Sequence, residues 1–354
     1  MVAPHRVLVT GGSGFMGSNF VLYLLARHPS WQVVNLDRLT YAGNRSNLLE
    51  IEGSRRYRFV QGDIRDAALV DQLMDEVEAV VNFSAETHVD RSLLDGHSFL
   101  TTNVQGTYVL LEAALRHPNV RRFLHISSDE VYGETAAGCS ARETDPLRPR
   151  NPYAASKAGA DMQCIAFYGA YGLPVIIVRP VNNMGPRQHP EKIIPLFITS
   201  ALLDQPLPLY GDGRQERDWL FVEDHCRALD LVLQQGQPGE VYNIGAGNHQ
   251  QNLRLAESIL DLLGKPRSLI RFVPDRQGHD RRYSLDSSKL RSLGWSPEHN
   301  FSSALEKTVA WYKANRRWWE AVYADPAFRD YYQRQYAERL AQGISYNPTG
   351  VPAG

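Results

Sequence analysis

Tyr153 and Lys157, in the string YAASK, stand four residues apart. On a helix that spacing puts both side chains on one face. The ammonium favours the phenolate by direct attraction, which predicts a tyrosine pKa drawn down from about 10 towards neutrality. Such a phenolate can take the proton from a hydroxyl while a hydride leaves the same carbon. Tyr-x-x-x-Lys arises often by chance as an exposed helix pair, so its weight comes from the start of the chain. There TGGSGFMG spaces Gly11, Gly14 and Gly17 as G-x-x-G-x-x-G, with Phe15 and Met16 inside the motif. Without side chains the backbone can approach a pyrophosphate, whose charge suits a helix N-terminus. A plain tight turn is the alternative for such a motif alone. Here a strand precedes it, a helix follows, and Asp37 ends the second strand. Asp37, about 20 residues past the last glycine, would accept hydrogen bonds from ribose hydroxyls and repel a 2′-phosphate. NAD is therefore expected rather than NADP, a preference that the neighbouring Arg38 blunts. Asp63 and Ile64, after the third strand, fall where an adenine would lie; a helix-capping Asp63 is the bland alternative.

The elements that must hold these groups alternate in type. Short β-branched runs at 6–10, 32–37, 57–61, 79–84, 122–127 and 174–179 are separated by amphipathic stretches at 18–27, 67–76, 99–115 and 153–171. That rhythm predicts an α/β, Rossmann-type doubly wound parallel sheet with helices on both faces. After residue 180 the rhythm changes. Pro, Gly and charged residues are dense over 180–218, and a strand-like run (241–244), a helical one (252–263) and an aromatic-rich helical stretch (305–336) follow. We expect an NAD-binding domain over 1–180, rejoined by about 220–245 through a helix at 222–234. A smaller α/β substrate-binding domain then takes 181–219 and 246–342, and 343–354 form a Gly/Pro-rich flexible tail.

Composition excludes some roles. Hydrophobic residues make up 43% and charged residues 22%, as in ordinary globular proteins. With 38 Lys+Arg against 39 Asp+Glu the formal charge is -1, so no bulk field points to nucleic acid or to an anionic membrane. Phosphates must be met by local Arg, Lys and helix ends. Cys139, Cys164 and Cys226 have neither metal-site spacing nor an even count. No apolar signal segment or membrane-length run is present, and the expected location is cytoplasmic.

The glycine pattern, Asp37 and YAASK together resemble the extended short-chain dehydrogenase/reductase superfamily. Six further strings are similar to those of the dTDP-glucose 4,6-dehydratase family: LDRLTYAGN, SAETHVDRS, SSDEVYG, PEKIIP, GRQERDW and GHDRRYSLD. SSDEVYG lies at the end of the fifth strand, where ligands sit in parallel sheets. Dehydrating a 4-keto sugar needs one base for the C5 proton and one acid for the departing C6 hydroxyl. By this resemblance Asp129 is the acid and Glu130 the base, with Ser128, Tyr153 and Lys157 completing the catalytic set. Asp129 must stay protonated, which calls for desolvation or a like charge, and Glu130 is such a charge. The implied reaction is NAD-dependent conversion of an NDP-hexose, dTDP-glucose first, to its 4-keto-6-deoxy form. It runs by C4 oxidation, water loss across C5 and C6, and hydride return to C6.

The resemblance also implies wider contacts. Leu39, Thr40, Phe83, Ser84, Ala85, Thr87, Thr102 and Asn183 join the glycines, Asp37, Arg38, Asp63 and Ile64 around the cofactor. Substrate contacts fall to Thr87, Asn182, Asn183, Lys192, Pro208, Tyr210, Arg217, Asn243, Arg276, His279 and Arg281, where guanidinium–phosphate pairs suit a diphosphate. A homodimer through a four-helix bundle, built on the helices at 99–115 and 153–171, is implied as well. The chain departs from the family's pattern in RPVNNMGP, where Arg179, Val181 and Met184 are expected to alter the floor of the sugar site. It departs again at Arg187 and Gln188, and at Gln277. These changes keep UDP-glucose open as a substrate. A UDP-sugar 4-epimerase or decarboxylase is the nearest rival and has no need of Asp129 and Glu130. An NAD-sensing interaction protein is the non-enzyme alternative; such proteins usually lose the Tyr or Lys kept here.

Overall fold

The computed structural model describes residues 4–346. Along the first strand, β1 (Arg6–Thr10), Val7 and Val9 pack into one apolar cluster and Leu8, between them, into another. The same alternation recurs in β2 (Gln32–Asp37), β4 (Ala79–Asn82), β5 (Arg122–Ile126) and β6 (Val175–Pro180), while β3 (Tyr57–Gln61) closes one edge. A strand buried on both faces must sit inside a layered structure, and each fully buried aliphatic side chain adds about 1.5–3 kcal/mol. Six of these strands and β10 (Val241–Ile244) form one seven-stranded sheet in the order β10-β6-β5-β4-β1-β2-β3, with every pairing parallel. Helices Phe15–Arg27 and Val222–Gln235 pack together on one face. Helices Ala67–Met74, Thr107–Arg116 and Pro152–Tyr171 cover the other. The segment 222–244 thus returns to the sheet after an excursion.

That excursion and the C-terminal part form a second lobe with its own core. It holds two three-stranded sheets. One comprises β7 (Asn182–Met184), β9 (Glu216–Phe221) and β11 (His249–Gln251). The other comprises β8 (Leu207–Tyr210), β12 (Ile270–Val273) and β13 (Ile344–Ser345). Helices Ile193–Leu202, Asn252–Leu263 and Phe301–Ala314 pack around them.

Several expectations need correction. The stretch 99–115 is not one regular helix. A π-helical segment, Leu100–Gly106, separates Gly96–Phe99 from Thr107–Arg116. The segment is set by residues from elsewhere in the chain: Gly106 lies where a Cβ would fall 2.4 Å from Ile64 Cδ1, and Asn103 turns inward to bond Glu86 and Ser156. Of the tail expected over 343–354, Ile344 and Ser345 pair with β12 instead; 347–354 lie outside the described residues. The helix Ile193–Leu202 and the strands β8 and β9 were not expected at all. Among the described residues no helix is long and apolar enough to cross a membrane, no acidic, His and Cys cluster could hold a metal, and all three cysteines are free.

Candidate active site

The strand order turns at β1, which lies between β4 and β2, and the cleft opens beyond the C-terminal ends of these strands. Every cofactor and substrate residue expected from the sequence lines it except Leu39, Asn243 and Arg281. Gly14 caps helix Phe15–Arg27, and no side chain covers that N-terminus, so its amides can face an anion. Gly11 needs to be glycine: its φ is +68°, and a Cβ would fall 2.8 Å from the Ser84 amide nitrogen. The Asp37 carboxylate is fixed by two backbone amides, Ser13 on Oδ2 at 2.9 Å and Leu39 on Oδ1 at 2.8 Å. Leu39 therefore serves through its N–H, with a left-handed φ of 59°, and not by lining the cleft. Each Asp37 oxygen keeps a lone pair for a ribose hydroxyl. Asp63 faces the cleft held in a fork by Arg65.

The catalytic helix Pro152–Tyr171 starts where it does because Asn151 accepts the Ala154 N–H at 2.8 Å and Pro152 takes the first turn. It ends at Gly172, in a left-handed conformation. Tyr153 and Lys157 both face the cleft, but not in the predicted electrostatic balance. Burial, then the charge of Glu130, pushes the Tyr153 phenol up rather than down. Lys157 is itself pulled down to about 8 by burial, and its Nζ donates to the Ile126 carbonyl at 2.5 Å. Desolvation of the phenolate dominates, and the group that favours the charged form is the Ser128 hydroxyl.

Asp129 and Glu130 open a short 3-10 turn, Asp129–Tyr132, capped by the Ser128 hydroxyl and closed by Gly133 at φ 73°. A Cβ on Gly133 would fall 2.3 Å from the Arg148 carbonyl oxygen. The turn points the two carboxyl groups differently. Asp129 is 4% exposed, with Oδ2 buried and without a partner. Burial first and the Glu130 charge second push its pKa up to about 8, so it carries a proton at neutral pH. Glu130 Oε2 accepts from Asn151 Nδ2 at 3.2 Å. The Tyr283 hydroxyl, which donates to Asp280 at 2.6 Å, lies 3.4 Å from the same oxygen. Sequence reasoning missed Asn151 and Tyr283.

The substrate end brings other corrections. Asn243 is fully buried and ties β10 to its surroundings: its amide donates to the Ala141 carbonyl and accepts from the Tyr132 hydroxyl. Arg281 is outside the cleft, forked onto Asp212 at 2.7 and 3.0 Å. Arg276 does line the cleft, where Asp90 already holds one arm at 3.2 Å and leaves the buried Nε without a partner. Arg217 stacks on Tyr283 and donates to the Asp280 carbonyl. Of the departures from the family's pattern, Val181 and Gln188 line the cleft. Arg179, Met184, Arg187 and Gln277 do not: Arg179 pairs with Asp161, Met184 packs in the second core, and Arg187 bonds Asn47 and Glu50. Asn252, Trp219 and Tyr336 line the cleft and were not anticipated. Asn252 Oδ1 and Trp219 Nε1 are buried without a partner, and such groups accept or donate to whatever occupies the space.

A family model described as GDP-mannose 4,6 dehydratase matches residues 8–308. The chain belongs to that family. Individual relatives agree with this membership. A dTDP-glucose 4,6-dehydratase of an Actinoplanes species is 51% identical over 320 residues, 89% of this chain and 99% of the relative. The low-salt glycan biosynthesis protein Agl12 of Haloferax volcanii is 53% identical over 306 residues, 86% and 98% of the two chains. Among solved structures, DesIV, a dTDP-glucose 4,6-dehydratase from Streptomyces venezuelae with NAD and TYD bound, superposes with a TM-score of 0.87 at 51% identity. It covers 90% of this chain and 99% of its own.

Proposed function

We propose that this chain catalyses the NAD-dependent 4,6-dehydration of dTDP-glucose to its 4-keto-6-deoxy product. The observation that carries the reading is the carboxyl pair beside Tyr153: Asp129 buried with Oδ2 unpartnered, which pushes its pKa up, and Glu130 held by Asn151. An epimerase or decarboxylase needs no such pair. NAD, when bound, accepts the C4 hydride and later returns it to C6. The glycine turn, the uncapped helix start and Asp37 would hold it. Tyr153 takes the O4 proton, with Ser128 sharing that oxygen. The C4 ketone acidifies C5; Glu130 removes the C5 proton, Asp129 protonates the C6 hydroxyl so that it departs as water, and C5 is reprotonated as the hydride returns to C6. Incubation of the protein with dTDP-glucose and UDP-glucose side by side, read by mass spectrometry, tests this. Loss of one water from dTDP-glucose with no net NAD consumption is expected; an unchanged mass with an epimerised C4 would refute it.

Asp37→Ala is expected to relax cofactor choice. Losing a charge-assisted ribose contact worth about 1.5–3 kcal/mol weakens NAD roughly 10- to 100-fold. It also removes the repulsion towards a 2′-phosphate, so titration should show the NAD/NADP ratio collapsing. An unaltered ratio would remove Asp37 from the ribose.

We also infer a homodimer. Helices Thr107–Arg116 and Pro152–Tyr171 pack together and bury Leu111, Cys164 and Phe167 against the sheet. Their outer side leaves Tyr108, Met162, Ile165, Tyr168 and Tyr171 between 42% and 61% exposed. A second copy would close this face into a four-helix bundle. Sedimentation should give a dimer at micromolar concentration and a monomer for Ile165→Glu with Tyr168→Glu; a monomeric parent protein would refute it. Three free thiols support a reducing, cytoplasmic setting.

A further inference from the structure

Beneath the cleft floor runs a buried polar chain that the proposed cycle does not use. The Thr10 hydroxyl donates to Asn82 Oδ1 at 2.7 Å. That orients the Asn82 amide, whose Nδ2 faces Thr107 Oγ1 at 3.2 Å and His125 Nδ1 at 3.3 Å. Nδ1 must then accept, so the imidazole proton sits on Nε2. Nε2 points at Asp161 Oδ1, 3.6 Å away, and neither atom has a closer partner. The other Asp161 oxygen takes Arg179 Nε at 2.9 Å. Arg179 continues to the Tyr132 hydroxyl at 2.7 Å, which donates to Asn243. Asp161 lies one helical turn past Lys157.

Stability gives little reason for such a pair. Asp161 is 0% exposed and Arg179 is 2% exposed. The cost of desolvating both rivals their attraction, and apolar residues of equal volume would hold the fold as well. Lys157, 3% exposed, does need a counter-charge, because its surroundings disfavour an ammonium.

We propose that Asp161 is a positioning residue: a buried carboxylate that keeps Lys157 an ammonium pinned to the Ile126 carbonyl, while Arg179 and His125 hold the carboxylate in place. The ionisable groups around Lys157 are Tyr153, Asp161 and Cys164 on its own helix, His125 on β5 and Arg179 on β6. Asp129 and Glu130 line the same cleft. Asp161 is first among those that favour the charged form, against the larger effect of burial. Without Asp161, therefore, Lys157 loses its proton at lower pH.

The inference rests on the reading that Lys157 acts beside Tyr153 as a cation, and its test is independent of turnover. In Asp161→Asn with Arg179→Met, the introduced amide keeps the shape of the carboxylate beside His125, and the introduced thioether side chain fills the volume of the lost arm. With NAD at one saturating level, the parent and the double variant are pulse-labelled with a small amine-reactive reagent across pH. Peptide mass spectrometry then gives the titration midpoint of Lys157, the other lysines serving as references. A drop of about one pH unit at unchanged melting temperature is expected. An unchanged midpoint overturns the proposal while leaving the dehydratase reading intact. If the double variant folds poorly, Asp161→Asn alone must move the midpoint further in the same direction, since the Arg179 cation remains. The pH dependence of single-turnover NADH appearance is the second measurement; its alkaline limb must shift to lower pH, and a fixed limb counts against Asp161.

Discussion

Glu130→Gln, mixed with dTDP-glucose, is expected to produce one burst of NADH absorbance per active site that persists, with dehydrated product slowed roughly 10²–10⁴-fold. Glutamine keeps the shape and can still accept the Asn151 amide, so the turn at Asp129–Tyr132 should stand. What it lacks is a basic oxygen for the C5 proton. Oxidation at C4 depends on Tyr153 and proceeds; elimination does not. Removing the Glu130 charge also relieves one push on Asp129, while burial, the larger cause, remains. The block falls on proton abstraction from C5. Full turnover in this variant would disprove the base assignment.

Tyr153→Phe should fail one step earlier. The substitution removes a single oxygen, leaves Lys157 on the Ile126 carbonyl, and keeps the helix start at Asn151. Without the phenol no group is positioned to take the O4 proton, so no NADH burst is expected and turnover falls by roughly 10²–10⁴-fold. NAD should still bind. Because burial and Glu130 hold the phenol up, Tyr153 must give up its own proton before it can accept the one from O4, so the NADH burst of the parent protein should grow with rising pH. Comparing the two variants thus separates oxidation from elimination, and a burst in the Phe variant would remove Tyr153 from the role.

The sheet was legible because its strands announce themselves twice, by β-branched content and by turn residues at their ends; β1, β2 and β3 begin and end as expected. The second lobe was not. Helix Ile193–Leu202 (IIPLFITSAL) is apolar on every side, so no 3.6-residue period marks it. The π-helical segment reads as ordinary helix, since its cause is the approach of Ile64 to Gly106, a contact between residues distant in the chain. At the site, motifs placed the groups that line the cleft but not those that restrain them. Asn243 and Asn252 are equally polar on paper; only the fold sends the first into a strand junction and the second to the cleft wall. Arg281 looks like a phosphate ligand until Asp212 is brought beside it. The Tyr153 shift was misjudged because spacing shows the lysine but not the burial.

Asn151 offers its oxygen to the first turn of the catalytic helix and its amide hydrogens to Glu130. Serine, threonine and aspartate start helices comparably well, yet none presents an acceptor together with an amide donor. An engineer tuning this position for heat tolerance would therefore detune deprotonation at C5 without touching any group that meets the sugar. Thermal robustness and throughput are wired to one side chain, and neither can be optimised there without consulting the other.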